Sequence, residues 1–290
     1  MSAPARAWRT FVFVARRPGG AFGLGVIGLV VLVALLEDLL APLGPNRVSV
    51  PDRLQPPSAS HLFGTDELGR DVLDRVVLGA SVSLRVGLVA VGIALVVGVL
   101  VGLLAGYYRG ALDAVLMRSM DVLFAFPAIL LAIAVLALLG PGTTNAMIAI
   151  GVVYTPIFAR VTRAAVLSVS EEVYVRASRS VGAPDARILL AHVLPNAAPP
   201  IIVQTSVSLA FAILSEAALS FLGLGTQPPN SSWGLMLAEG RGFLEQAWWM
   251  AFFPGFAIFV TVLAFNLLGD ALRDVLDPRR RTLMAAGGAV

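Results

Sequence analysis

The sequence predicts an all-α protein that crosses a membrane several times. Hydrophobic residues make up 58% of the chain and charged residues only 13%, which is about half the charged share of a soluble domain. The apolar residues also come in runs long enough to span a bilayer, for which a helix needs roughly 20 residues. The arginines between these runs are distributed unevenly over alternate loops, as in membrane proteins whose spans have a defined orientation.

Six transmembrane helices are predicted from the apolar runs. They cover about residues 20–41, 82–107, 121–140, 144–166, 198–222 and 247–269. We interpret the first as a retained span, because no clear small-x-small cleavage site follows it. The chain is thereby divided into an N-terminal segment (1–19), the first helix (20–41), a long loop (42–81), a five-helix core (82–269) with a polar segment (168–196), and a C-terminal tail (270–290).

The arginines predict the orientation of these spans. The chain has no Lys, so all 21 basic residues are Arg, and fifteen of them fall in inside segments if the N-terminus is inside. An excess of positive charge marks the cytoplasmic loops of membrane proteins. Both termini and the segment 168–196 are therefore predicted to be cytoplasmic, and the loop 42–81 to be extracytoplasmic.

An amphipathic helix is predicted in the outer loop, starting near Thr65. Thr65 suits an N-cap, and the two acidic residues after it suit the positive end of a helix dipole. Apolar residues then recur at helical spacing. Two oppositely charged pairs stand four residues apart, Asp66–Arg70 and Asp71–Arg75. The helix could simply pack against the spans of the protein, or it could receive a partner or substrate.

The polar segment contains the stretch EEVYVRASRSVGAPDARILLAHVLPN, residues 171–196. It is predicted to form two short helices, with Ser168 or Ser170 capping the first and Gly182 in the left-handed position at its end. Pro184 suits the first turn of the second helix, which we expect to stop before Pro195. Apolar residues on both helices suit docking into a groove on a cytoplasmic partner. A helix pair lying at the lipid interface is the alternative.

Residue types exclude several kinds of chemistry. There is no cysteine, which excludes a thiolate nucleophile and Cys-ligated metal, and the lack of Lys excludes a Walker A phosphate loop in this chain. His61 and His192 both lie outside the predicted spans, so no catalytic residue, metal or cofactor is predicted. Glu216 lies at predicted membrane depth and is a candidate for a transport path. It could instead only hydrogen-bond a neighbouring helix.

The polar segment resembles the cytoplasmic "EAA" loop of binding-protein-dependent ABC importer permeases. Ala177, Gly182 and Leu194-Pro195 match that pattern at its spacing, while Arg176, Ser178 and His192 depart from it. Residues 61–87 and 214–237 are similar to the second permease subunit of dipeptide, oligopeptide and nickel importers. The resemblance covers nearly the whole chain.

The resemblance implies a type I (MetI-like) ABC importer permease fold in a bacterial or archaeal inner membrane. It implies a non-catalytic subunit that pairs with a homologous but different permease chain. An extracytoplasmic solute-binding protein would deliver peptides or related solutes to this pair, and two cytoplasmic ATPase subunits would dock onto it. No nucleic-acid partner is expected. The residues expected to couple to the ATPases are Glu171, Tyr174, Arg176, Ala177, Ser178, Gly182, Ala183, Asp185, Leu194 and Pro195. A self-contained secondary carrier or channel is the alternative function.

Overall fold

The computed structural model describes residues 11–41, 44 and 46–276, and this part of the chain is built from α-helices. The longer helices, each of at least eight described residues, are α1 (Pro18–Leu35), α2 (Val72–Tyr108), α3 (Gly110–Phe124), α4 (Ala128–Leu139), α5 (Thr143–Ser170), α6 (Val173–Ser180), α7 (Asp185–Phe221), α8 (Trp233–Gly240) and α9 (Trp249–Leu276). The outer parts of the two predicted cytoplasmic tails, 1–10 and 277–290, lie outside the described residues.

Five of these helices, α1, α2, α5, α7 and α9, are long and apolar enough to cross a bilayer. The prediction of one continuous helix over 121–140 was wrong, because α3 and α4 meet there at an angle of 93°. Pro127 has no amide hydrogen to donate and disfavours helical conformation in the residue before it, so the helix stops at this point. The described part of the chain therefore has five spans, or six if the bent pair counts as one.

Helices α2 and α5 form the most extensive helix pair in the described structure, and glycines of α2 allow their close approach. A Cβ atom on Gly98 would lie 2.5 Å from the Cβ of Phe158, and one on Gly102 would lie 2.4 Å from the carbonyl oxygen of Ala159. Gly106 is also closely packed against α5. Small residues spaced four apart on α2 thus let the two helices pack closely within the membrane.

Two buried apolar clusters hold the spans together. One joins α2, α4, α5 and α7 around Leu136 and Phe158. The other joins α2, α7, α8 and α9 around Trp233 and Phe265. The indole nitrogen of Trp233 donates a hydrogen bond to the carbonyl oxygen of Val76, at 2.9 Å, so this large side chain is buried with its polar atom satisfied.

The loop at residues 46–71 lies at the end of the bundle where α9 begins, which we name the Trp249 end. The helix predicted to start at Thr65 starts only at Val72, with Asp71 as its N-cap, and it continues unbroken as α2. Thr65 instead forms an isolated bridge with Asp71, and Gly69 has φ +74°. The chain turns back on itself here, which a helical pattern of charges and apolar residues does not reveal.

Three charged residues of this loop, Asp66, Arg70 and Asp71, are buried. Arg70 binds Asp66 as predicted, with 2.6 Å between Nε and Oδ2. Arg75 does not pair with Asp71 but donates to Asp66 at 2.8 Å and to Glu239 at 2.6 Å. Because Glu239 lies on α8, these contacts pack the loop against the rest of the protein.

The opposite end of the bundle carries the polar segment, and we name it the Gly182 end. Helix α5 continues through Ser170. The prediction that Ser168 or Ser170 caps α6 was therefore wrong. Glu172 stands at the N-cap of α6 without a side-chain hydrogen bond.

The second helix of the polar segment does not stop before Pro195. It continues as α7 to Phe221 and passes through a wider, π-helical turn at Ile188–Val193. Pro195 cannot donate a hydrogen bond to the preceding turn, and the change in hydrogen-bonding pattern just before it accommodates the ring within a continuous helix.

Candidate functional site

The polar segment folds into a tight turn between α6 and α7. Gly182 has φ +79°, which confirms the predicted left-handed position. Its amide donates to the carbonyl oxygen of Arg179 at 3.0 Å, and the amide of Ala183 donates to that of Ser178 at 3.1 Å. A residue with a Cβ atom is strained at this φ value, so the turn depends on glycine.

One side of this turn is packed against the spans. Val175 of α6 and Ile188 and Val193 of α7 are fully buried. They form one apolar cluster with Leu103 of α2 and Val166 of α5, which we name the anchoring cluster. Because protein interiors are close-packed, this cluster connects α6 directly to three spans.

Polar contacts tie the same turn to the end of α2. The hydroxyl of Tyr107 donates to the carboxylate of Asp185 at 2.6 Å, and the guanidinium of Arg179 lies 5.2 Å from the centroid of the Tyr107 ring. Arg109 pairs with Glu171. The hydrogen bond from Arg109 holds the pKa of the exposed Glu171 carboxyl below its ordinary value. The start of α7 and the short connection before α6 are thereby attached to the end of α2.

The other side of the turn exposes apolar side chains. Val173 is 71% exposed, Val181 83% and Tyr174 41%. Ala177 is exposed between them, and Arg176 is exposed beside them. Exposed apolar groups that lie together, with charge at their edge, mark sites of contact with a protein or a membrane. We name these residues of α6 and Val181 the exposed patch.

The predicted coupling residues occupy two places. Those on α6 or at the turns that flank it are Glu171, Tyr174, Arg176, Ala177, Ser178, Gly182, Ala183 and Asp185. Leu194 and Pro195 lie further along α7, where Leu194 is half-buried against the anchoring cluster and Pro195 is exposed. The structure brings the first group together around α6 and the turn at Gly182 and separates the last two from it.

Glu216, the predicted transport-path candidate, is only 1% exposed. Its carboxylate accepts hydrogen bonds from Ser220 at 2.7 Å, Thr226 at 3.3 Å and Ser83 at 3.4 Å. These partners belong to α7, to the loop after it and to α2, and the contacts favour the alternative that Glu216 binds neighbouring elements. A role for Glu216 in transport stays a prediction.

Two larger cavities lie along α2 in the described structure. The polar cavity, of about 670 Å³, lies between Arg85 of α2 and the start of α5, with Thr144 and Asn145 in its wall. The apolar cavity, of about 410 Å³, lies between α2 and α7 and is lined by Val96 and Leu100 on the α2 side. Both volumes are in the range of small-molecule sites, about 300–1,000 Å³.

Comparison with known proteins identifies the family. Residues 98–282 match the family of the binding-protein-dependent transport system inner membrane component. The chain belongs to this family.

The chain is 47% identical over 260 residues to the dipeptide transport system permease protein DppC of Alkalihalophilus pseudofirmus, covering 90% of this chain and 86% of that protein. It is 46% identical over 278 residues to the di/tripeptide transport system permease protein DppC of Pseudomonas aeruginosa, covering 94% and 91%. It is 44% identical over 278 residues to the glutathione transport system permease protein GsiD of Pectobacterium atrosepticum, covering 95% and 92%.

Solved structures show the fold of this permease. An inward-facing structure of the MetNI methionine ABC transporter aligns with a TM-score of 0.58 and 19% identity, over 70% of this chain and 96% of that one. An amino acid ABC transporter with histidines aligns with a TM-score of 0.54 and 16% identity, over 69% and 92%. At this identity the likeness concerns the fold alone, and it confirms the predicted MetI-like fold.

Arg85, which lies on α2 and lines the polar cavity, is not among the functional residues predicted from the sequence. The signal for it is its isolation, because it is the only charged residue in the 32 residues from Val77 to Tyr108. A single charge inside a helix of that length and hydropathy marks a functional candidate.

Proposed function

We propose that this permease is one subunit of an ATP-driven importer that carries peptides or related small solutes across a bacterial inner membrane. The relatives named for dipeptide, di/tripeptide and glutathione transport support this cargo class. In the proposal, a homologous second permease chain supplies the other half of the translocation path. Two cytoplasmic ATPase subunits provide the energy, and an extracytoplasmic binding protein delivers the cargo. This chain itself is non-catalytic and needs no cofactor.

The proposed orientation places both termini and the Gly182 end in the cytoplasm. The excess of arginine in the segments at the Gly182 end supports it. The Trp249 end, with the loop at residues 46–71 and the polar cavity, then faces the binding protein. Trp248, which lies just before α9 and is about half exposed, suits the membrane–water interface on that side.

The observation that carries the proposal is the two-sided packing of α6. Val173 and Val181 point away from the protein, while Val175 between them is fully buried in the anchoring cluster. A short helix that is apolar on both sides can bind a groove on a partner with one side and push on the spans with the other. We therefore propose that the ATPase subunit binds the exposed patch and that the anchoring cluster passes its motion to α2, α5 and α7.

Val181→Asp tests the docking of the exposed patch. A carboxylate placed in an apolar groove without a partner costs about 2 kcal/mol or more, so we expect ATP-driven peptide uptake to fall by about tenfold or more. Val181→Thr, of nearly the same shape, is the matched control and should retain most of the uptake. The measurement uses the complete transporter in proteoliposomes, with co-purification of the ATPase subunits as a second readout. A Val181→Asp transporter that assembles and transports at the wild-type rate would contradict the proposal.

Gly182→Val tests the turn between α6 and α7. The left-handed backbone is unfavourable for a β-branched residue, so α6 should be misplaced, with ATP hydrolysis retained and peptide uptake lost. Gly242→Val is the control, because Gly242 has open space around it and no left-handed φ. Normal uptake by Gly182→Val would rule out the coupling role. ATP-independent peptide flux through this chain reconstituted alone would instead favour a self-contained carrier or channel.

A further inference from the structure

Arg85 is an isolated cation in a membrane-spanning helix. It lies 22 residues before Tyr107, or about 33 Å along the helix axis at 1.5 Å per residue. If the Tyr107–Tyr108 pair marks one membrane interface, Arg85 lies at the opposite edge of a hydrocarbon core that is about 30 Å thick. Under the proposed orientation, this is the outer mouth of the permease.

The guanidinium of Arg85 has no counter-charge within the described structure. None of the ion pairs among the described residues includes it, and the residue is exposed. This contrasts with Arg75, ten residues earlier on the same helix, which is 1% exposed and bound to two carboxylates. Arg85 is therefore free to bind an anionic group that comes from outside this chain.

The polar cavity beside Arg85 has the composition of a site for an anion. Its lining residues in the described structure include one cation and no carboxylate. Uncharged polar residues complete it, namely Thr143, Thr144, Asn145 and Asn230. The wall opposite Arg85 is held in place by two hydrogen bonds: the amide of Gly142 donates to the carbonyl oxygen of Leu224 at 3.1 Å, and the side-chain amide of Asn145 donates to the carbonyl oxygen of Leu139 at 2.8 Å.

The same face of α2 continues from the polar cavity to the apolar cavity. Arg85 and Val89 line the first, and Val96 and Leu100 line the second. With 3.6 residues per turn, these four side chains lie within an arc of about 60° around the helix axis. A solute that binds at Arg85 therefore meets an apolar surface next, on the way to the Gly182 end.

We propose that Arg85 binds the carboxylate of the transported peptide at the outer mouth of the translocation path. The inference rests on the proposed import function and names a substrate-recognition residue for it. A guanidinium makes two parallel hydrogen bonds to a carboxylate. Arg85 is exposed, and the described residues that line the apolar cavity beyond it include no second cation. The peptide is therefore oriented at the mouth without being retained there.

The test compares a dipeptide with its C-terminal amide in Arg85 variants. The complete transporter in proteoliposomes takes up alanyl-alanine or alanyl-alanine amide, each at a concentration that gives measurable wild-type uptake. The same binding protein delivers each substrate to every variant, so its own preference cancels in the ratio of variant to wild-type uptake. Arg85→Gln should lower uptake of the free acid by about tenfold or more, since a charge-assisted hydrogen bond is lost, and it should leave uptake of the amide within about twofold. Arg85→Lys should fall between wild type and Arg85→Gln for the free acid.

The controls separate this inference from other roles of Arg85. Arg241→Gln removes another exposed arginine, one that lies outside the polar cavity, and it should leave both uptake rates unchanged. An equal loss of uptake for the acid and the amide in Arg85→Gln would overturn the inference and indicate pairing with the second permease chain. A loss for both that depends on the anionic lipid content of the vesicles would also overturn it and indicate binding to a lipid headgroup. Absence of ATP-driven uptake in the wild-type transporter would reject the import function itself. That result differs from both outcomes for Arg85→Gln, in which the wild-type transporter still takes up peptide.

Discussion

The close approach of α2 and α5 can be measured by adding one methyl group to Gly102. In Gly102→Ala the new Cβ would lie 2.4 Å from the carbonyl oxygen of Ala159 and 2.7 Å from the Cβ of Thr162. Ordinary contact begins at 3.4 Å, so the helices must separate locally by about 1 Å. The closest obstacle is a backbone atom of a helix, which cannot rotate away. We therefore expect the overpacking cost to be about 2–3 kcal/mol, at the upper part of its usual range.

Gly92→Ala is the matched control, because an added Cβ at Gly92 on the same helix meets nothing within 4 Å. Both variants gain the same helix propensity, about 1 kcal/mol for Gly to Ala. The difference between their stabilities therefore isolates the steric contact. At about 2–4 °C per kcal/mol for a chain of this size, Gly102→Ala should unfold roughly 5–10 °C below Gly92→Ala.

Thermal loss of monodisperse protein in detergent, followed by size-exclusion chromatography with fluorescence detection, gives the two midpoints. Because unfolding of a membrane protein is often irreversible, the variants are heated side by side for the same time. Equal midpoints for Gly102→Ala and Gly92→Ala would refute the packing argument for the glycine row. A lower midpoint for Gly92→Ala alone would refute it as well.

Three further predictions concern the two ends of the bundle. Arg75→Met leaves Glu239 without its closest cation, so it should lower the free energy of unfolding by about 3 kcal/mol or more. The measurement is the thermal midpoint, which should fall less for Arg75→Lys because this control keeps the positive charge. Tyr107→Phe removes the hydrogen bond to the carboxylate of Asp185, at a cost of about 1.5–3 kcal/mol. It should therefore speed hydrogen exchange in α6, and unchanged exchange would show that this hydrogen bond does not hold α6 in place. The folded-state pKa of Glu171 is held below its ordinary value of 4.5 by Arg109, so their pairing stabilises the protein above about pH 4.5 and is lost as the pH falls through the folded-state value. The thermal midpoints of wild type and Glu171→Gln should therefore converge in acid, and a constant difference would contradict this.

Local features of the chain were predictable because each depends on residues close together in sequence. A run of about 20 apolar residues spans a bilayer whatever surrounds it, which is why the five longest spans were located. Gly182 was recognised because a left-handed position after a helix favours glycine. The break before Ala128 has an equally local cause in Pro127, but the apolar residues on both sides of the break concealed it.

Partners that are distant in sequence were not predictable. Arg75 has an acidic residue at helical spacing, yet it binds Glu239, 164 residues away, because folding brings α8 against α2. The helical pattern at residues 65–71 likewise fails where Gly69 turns the chain back.

The sequence by itself determined the five longest membrane spans and the turn at Gly182, because apolar runs and a glycine-dependent turn act over a few residues. Only the tertiary structure decided that Val175 is buried while Val181 is exposed, because that depends on which spans lie beneath α6. It also decided that Arg85 faces a polar cavity with no counter-charge among the described residues, whereas Glu216 is enclosed by hydroxyl groups. Burial and pairing of charge follow from the packing of distant helices, and these are the properties that separate a structural charge from a candidate for binding cargo.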